Sequence, residues 1–183
     1  MYSRTELLVG KEGLKKLNNS HVLVVGLGGV GGYVTEQLCR AGIGELTLVD
    51  GDAIHSSNRN RQIIALQSTE GKLKAEAIAE RLKDINSECK LNILTEYLRD
   101  ERMLEVLKSK PYDYVVDAID TLSPKVFLIY HSLQLGLRIV SSMGSGGKMD
   151  TEQVKIGDIS KSYNCPLASM VRKRLHQIGR AHV

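Results

Sequence analysis

At 183 residues with 42% hydrophobic side chains, the chain has the length of one ordinary domain and can bury a core without disulfide or metal staples. No apolar run reaches the roughly 20 residues of a bilayer-crossing helix. The start Met1-Tyr2-Ser3-Arg4 carries no basic-then-apolar leader, so the cytoplasm is the expected compartment. A formal charge of +4 is too mild to mark a nucleic-acid binder by itself, and no Trp with one Phe argues against a platform that stacks several bases.

Arg4 to Leu17 places Leu7, Leu8, Leu14 and Leu17 at roughly helical intervals broken by Gly10 and Gly13, which predicts two short helices. His21 to Val25 is a short β-branched apolar run, the pattern of a buried parallel strand. It ends in Gly26-Leu27-Gly28-Gly29-Val30-Gly31, a G-x-G-x-x-G turn, after which Val30, Val34, Leu38 and Ala41 recur at helical spacing. Glycines between a strand and a helix let phosphate sit against the free N–H groups of the helix start. A second strand, Leu46 to Val49, delivers Asp50, with Asp52 two residues on, where an acidic residue reaches a ribose hydroxyl. This order of strand, glycines, helix, strand and carboxylate marks a nucleotide site.

The polar loop Ile54 to Gln62 carries Asn58, Arg59, Arg61 and Gln62. A dinucleotide needs few such cations, because backbone N–H groups satisfy most of its pyrophosphate, whereas a triphosphate needs them. Gly71 to Ile85 is an amphipathic helix with Leu73, Ala77, Ile78, Leu82 and Ile85 on one stripe. Lys72 and Lys74 fall in its first turn, where the helix dipole disfavours cations, so they need an anion in front of them.

Lys90 to Thr95 reads as a strand and Glu101 to Leu107 as a short helix. Tyr112 to Ile119 is a further buried strand that brings Asp117 and Asp120 to its carboxyl end, where open α/β sheets bind ligands. Both carboxylates fit magnesium, or one of them caps the helix at Thr121 to Leu135. Leu137 to Ser142 is a strand, Gly144 to Gly147 a flexible loop and Val154 to Ile159 a last strand. Pro166 to His176 is helical, and its Arg172, Lys173, Arg174 and His176 fit a solvated face, with RNA contact the alternative. The elements sum to an α/β, Rossmann-like, doubly wound and mostly parallel sheet with helices on both faces.

Cys39, Cys89 and Cys165 are odd in number and far apart in sequence, without a C-x-x-C pair, and read as reduced thiols. The last six residues, IGRAHV, are what a common sequencing adapter encodes in one frame. The domain is therefore taken as residues 1–177, truncated at its C-terminus, and residues 178–183 as an artefact.

Taken together, Arg4 in RTELLVG, the glycine turn, Asp50 in DGD, NRNRQ at Asn58 to Gln62, Lys74 in GKLK and Asp120 in DAID resemble the ubiquitin-activating-enzyme superfamily of ATP-dependent adenylating enzymes. Within it, GIGELTLVDGD, SNRNRQI, DAIDTLSPKVFLI and PLASMVRKRL are similar to the tRNA threonylcarbamoyladenosine dehydratase group. The sulfur-carrier activators of the superfamily usually have a zinc C-x-x-C where this chain keeps Cys165 alone, which counts against that branch. The resemblance implies ATP and Mg2+ as cofactors. Gly26, Gly28, Gly29 and Gly31 would admit the phosphates, Asp50 would take the ribose with Asp52 also among the cofactor-binding residues, and Asn58, Arg61, Gln62 and Lys74 would hold the triphosphate. Asp120 would bind the metal, and Arg4 would enter the neighbouring subunit's site as an arginine finger, which implies a homodimer; Arg4, Arg61, Lys74 and Asp120 are thus the catalytic candidates. The implied partners are tRNA carrying threonylcarbamoyladenosine and a protein of a cysteine-desulfurase system. The alternatives are activation of the Gly-Gly terminus of a ubiquitin-like sulfur carrier, a nicotinamide oxidoreductase, and an ATP binder without turnover.

Overall fold

The computed structural model describes residues 1–181, with side chains to residue 179; His182 and Val183 of the terminal hexapeptide lie outside the described residues. Strands β1 (His21–Val25), β2 (Glu45–Val49), β3 (Lys90–Leu94), β4 (Tyr114–Asp117) and β5 (Ile139–Ser141) form one sheet in the order β3-β2-β1-β4-β5, and every pairing is parallel. The central strand β1 is buried along its whole length, as its unbroken apolar run requires. Its alternate residues serve two cores. Val22 and Val24 pack with Cys39 of α2 (Gly31–Ala41) and with Ala77, Ile78 and Leu82 of α3 (Lys74–Ile85). Leu23 and Val25 pack with Met103, Val106 and Leu107 of α4 (Asp100–Ser109) and Leu128 of α5 (Leu122–Gln134). Helices therefore cover both faces. A third cluster joins α5 to α6 (Pro166–Ala181) through Val126, Ile129 and Val171. No helix among the described residues is long and apolar enough to cross a membrane.

The winding runs outward from β1 through β2 to β3, then returns to β4 on the other side of β1. The switch point lies between β1 and β4, and a doubly wound sheet opens its ligand crevice at the carboxyl ends of such a pair.

Several local readings change. The N-terminal segment α1 (Ser3–Asn18) is two helical stretches that meet at a kink at Gly10, with φ 73° and ψ 171°, as the sequence suggested; only the break at Gly13 is absent, since Gly13 stays helical. On α2 the buried face is Gly31, Gly32, Thr35, Glu36 and Cys39; Val34 and Leu38 are only half-buried and Val30 is exposed. The glycine face lies inward because it alone allows close approach: a Cβ on Gly31 would stand 1.8 Å from the Gly26 carbonyl oxygen. Helix α3 starts at Lys74 rather than Gly71, because residues 71–73 are tied to Ala53 and Ile54 by a short antiparallel bridge. Val154 to Ile159 is not a strand. Asp150 and Asp158 accept hydrogen bonds from the backbone N–H two residues on, each opening a short 3-10 turn, and Ile156 between the turns is 98% exposed. Cys39 and Cys89, far apart in sequence, are both buried in the α2–α3 core, and burial pushes the Cys89 thiol up to about 12.

At the amino end of β2, Glu45 gathers Lys110 at 2.9 Å, Asn92 at 2.8 Å and Lys90 at 3.2 Å. Burial alone would raise its carboxyl; these donors override burial and hold it at about 2 against an ordinary 4.5. The pairing stabilises the fold fully above pH 4.5, and the contribution is lost as pH falls toward 2. We expect Glu45→Gln to remove about 2 kcal/mol at neutral pH. Denaturant titrations should show the gap between variant and parent closing on acidification, and a gap independent of pH would refute the assignment.

Candidate functional site

The crevice is built around the turn that leaves β1. Gly26 adopts φ +89°, and a Cβ there would meet the Ala118 carbonyl oxygen at 2.7 Å, so only glycine lets β1 and β4 close up at the switch point. Its N–H donates to the Val49 carbonyl at 2.9 Å. Asp50, at the end of β2, spans the next bonds: one oxygen accepts from Leu27 N–H at 2.7 Å and the other from Asp52 N–H at 2.8 Å. Burial pushes this carboxyl upward. Asp50 therefore shapes the glycine turn, and each oxygen keeps a lone pair for a ribose hydroxyl.

Lys74 is the first residue of α3, and its ammonium lies 2.6 Å from Asp52 and 4.0 Å from Asp50. The anion that a cation at a helix start requires is thus an aspartate pair. Burial would raise Asp52, but Lys74 and the Tyr97 hydroxyl, both donating to it, hold it below the usual carboxylate range.

The polar loop closes the other side. Gln62 is buried against Gly28, its amide nitrogen 3.6 Å from where a Cβ on Gly28 would lie, and the Arg61 side chain runs along Gly29. Arg61 is exposed, and among the described residues its side chain bonds within the loop, to Ser57 O at 3.2 Å and Asn60 Oδ1 at 2.9 Å. Arg59 pairs with Glu70 and is committed elsewhere. Asn58 is buried, and its side-chain oxygen accepts from His55 N–H at 3.1 Å. The Gln62 side-chain oxygen is buried without a hydrogen-bond partner among the described residues. An unsatisfied buried acceptor costs about 1–3 kcal/mol, a deficit that only a hydrogen-bond donor, such as a nucleotide hydroxyl or amino group, would relieve. The residues fit a nucleotide.

Beyond β4 the two aspartates part. Asp117 is not a metal ligand: it is fully buried, 2.7 Å from the Lys125 ammonium. Asp120, in the β4–α5 loop, is exposed, and no described residue bonds to it. Neither carboxylate caps α5, whose N-cap is Thr121 without a side-chain bond. No group of three or more potential ligands gathers among the described residues. Magnesium would thus take one carboxylate here, with phosphate and water completing its shell, a donor set that suits it.

Comparison with known proteins decides the family: the model of the ThiF family matches residues 2–182. The chain belongs to the ThiF family. It is similar to the tRNA threonylcarbamoyladenosine dehydratases of Haemophilus influenzae, 42% identical over 91% of this chain and 63% of that protein, and of Bacillus subtilis, 42% identical over 97% and 70%. Among solved structures it is similar to the tRNA N6-threonylcarbamoyladenosine dehydratase of Escherichia coli in complex with ATP, with a TM-score of 0.93 and 38% identity over 95% of this chain and 71% of that one. The chain thus spans about two thirds of the length of these relatives.

In this ThiF-family chain the fold brings together Gly26, Gly28, Gly29, Gly31, Asp50, Asp52, Asn58, Arg61, Gln62 and Lys74. Asp120 reaches the same end of the sheet from the β4–α5 loop. Arg4 it does not bring in. Tyr2 packs at Gly42, past the end of α2, and its hydroxyl accepts from Asn86, just past the end of α3. Arg4 follows two residues on, so the 12-residue α3, roughly 18 Å long, separates it from Lys74. Two residues went unread in the sequence. Tyr97, after β3, reaches Asp52 through an irregular segment that no periodicity announces. Lys125 is fully buried in α5, and a lysine between Pro124 and Val126 was the available signal.

Proposed function

We propose that residues 1–177 form the ATP-binding adenylating domain of a cytoplasmic tRNA threonylcarbamoyladenosine dehydratase that acts as a homodimer. The observation that carries the reading is the glycine turn held by Asp50 through Leu27 N–H, with the Lys74 ammonium 4.0 Å from that aspartate and the Arg61 side chain along Gly29. The naming of three relatives and the ATP bound to one of them support it.

A carboxylate is a poor electrophile because oxide would have to leave. Attack of the threonyl carboxylate on the α-phosphorus of ATP forms an acyl-adenylate and expels pyrophosphate. The neighbouring carbamoyl group then attacks the activated carbonyl, closing a ring and releasing AMP, so the elements of water leave in AMP and pyrophosphate. Backbone at Gly28, Gly29 and Gly31 approaches the phosphates, Asp50 and Asp52 orient the ribose, and Lys74, Arg61, Asn58 and Gln62 hold the charge that shifts as pyrophosphate departs. Magnesium on Asp120 would neutralise part of that charge. Arg4 would come from the second copy, and a cysteine-desulfurase system protein is a further partner.

The test supplies the purified chain with ATP, Mg2+ and tRNA carrying threonylcarbamoyladenosine, and follows AMP together with the loss of one water from the nucleoside by mass spectrometry. Both should appear together. AMP formed only with a ubiquitin-like carrier ending in Gly-Gly would overturn the substrate, and binding of NAD in place of ATP would overturn the site.

A further inference from the structure

The mechanism makes no use of a fully buried acid–base pair beside the crevice. Asp117 and Lys125 are each 0% exposed and lie 2.7 Å apart at the carboxyl end of β4. Ser141, the last residue of β5, donates its hydroxyl to the same aspartate oxygen that takes the lysine proton, Oδ2. The other oxygen, Oδ1, accepts from Ile119 N–H at 3.0 Å. A buried ion pair is a poor source of stability, because the desolvation of both charges offsets their attraction. What this pair does secure is a short stretch of backbone. The Asp117 carbonyl accepts from Ser142 N–H at 2.9 Å, Ala118 N–H donates to Val25 at 2.9 Å, and the Asp117 side chain turns the chain at Ile119. The next residue is Asp120.

We propose that Asp117, held by Lys125 and Ser141, is a positioning residue that sets the Asp120 carboxylate at the mouth of the crevice. The inference rests on the reading of Asp120 as the metal carboxylate. Lys125 carries no contact to the crevice in this scheme; it fixes the orientation of Asp117 so that one oxygen always faces the Ile119 amide. The Ala118 carbonyl, packed at Gly26, is aligned by the same turn, so the β4 side of the glycine loop and the metal carboxylate share one brace.

Two double variants separate positioning from bulk stability. Asp117→Leu with Lys125→Met removes both charges at similar volume but leaves Ile119 N–H without its acceptor. Asp117→Asn with Lys125→Met also removes both charges, yet the amide oxygen can accept from Ile119 and its NH2 can donate to Ser141. Calorimetric titration of ATP, with and without Mg2+, gives the factor by which magnesium tightens binding. That factor should fall at least tenfold in the Leu/Met variant and stay within about twofold of the parent in the Asn/Met variant, with metal-free ATP binding alike in all three. Equal factors in the two variants, whether parental or reduced, would overturn the inference and leave the nucleotide reading standing. Should the Leu/Met variant fail to fold, Ser141→Ala decides: a lowered magnesium factor supports the brace and a parental one overturns it. A parent chain that binds no ATP would instead remove the reading on which the inference rests.

Discussion

Lys74→Ala is expected to lower ATP–pyrophosphate exchange with modified tRNA by about 10²–10³-fold, the scale of losing one preorganised charge at a developing phosphate charge. The lysine side chain is 8% exposed, and its ammonium sits between Asp52 at 2.6 Å and Asp50 at 4.0 Å. Its removal does two things at once. The triphosphate loses a cation worth on the order of 4 kcal/mol at an effective dielectric near 20, before desolvation, and two carboxylates are left facing it uncompensated. A second substitution, Asp52→Ala on top of Lys74→Ala, should therefore restore part of the ATP binding while exchange stays low. Lys74→Arg should not rescue, because a planar guanidinium does not fit a slot shaped around a compact ammonium. Exchange within threefold of the parent in Lys74→Ala would show that the lysine only balances the aspartates.

The sheet was legible because its signals are local and redundant. The β1 run, the glycine turn and the terminal Asp50 each predict the same strand–turn–helix, and the structure keeps that register from His21 to Val49. Where one local signal stood alone it failed. The alternating Val154 and Ile156 resembled a strand, but strand pairing is a tertiary property, and the capping aspartates on either side turned the chain instead. On α2 the apolar spacing marked the helix, and its Val34 and Leu38 pack against the core, but that spacing did not reveal that Gly31 and Gly32 make the closest approach.

The crevice was legible to the extent that charge needs an explanation. Lysine at a helix start and arginines beside a glycine turn both ask for an anion, and that reasoning led to Lys74 and Arg61. It could not foresee that the protein supplies part of the counter-charge itself through Asp52, nor that Tyr97 would share that carboxylate. Asp117 and Asp120 look equivalent in DAID. Only burial separates them: the first has a lysine inside the fold, and the second faces solvent. A spacing of three residues across a strand end does not reveal which side chain turns inward.

Arg4→Ala should also lower exchange, by about 10³-fold, the scale of losing an arginine finger. Geometry makes the way it does so testable. In a single copy Arg4 stands at the far end of α3 from Lys74, so no side-chain rotation brings it to its own crevice. The same helix α1 exposes Leu7 and Leu8 at 78% and 86%, an apolar surface that a second copy would cover while carrying Arg4 to the neighbouring site. Mixing Arg4→Ala with Lys74→Ala subunits then has a defined arithmetic. Half of the dimers formed at random are hybrids, and each hybrid holds one site with an intact lysine and an arginine from its partner, so activity should return to about a quarter of the parental value. Neither variant alone can reach that value. A mixture that stays inactive after subunit exchange, verified by a tagged subunit, would mean that Arg4 does not act across an interface; the lost activity of Arg4→Ala would then trace to the fold of α1.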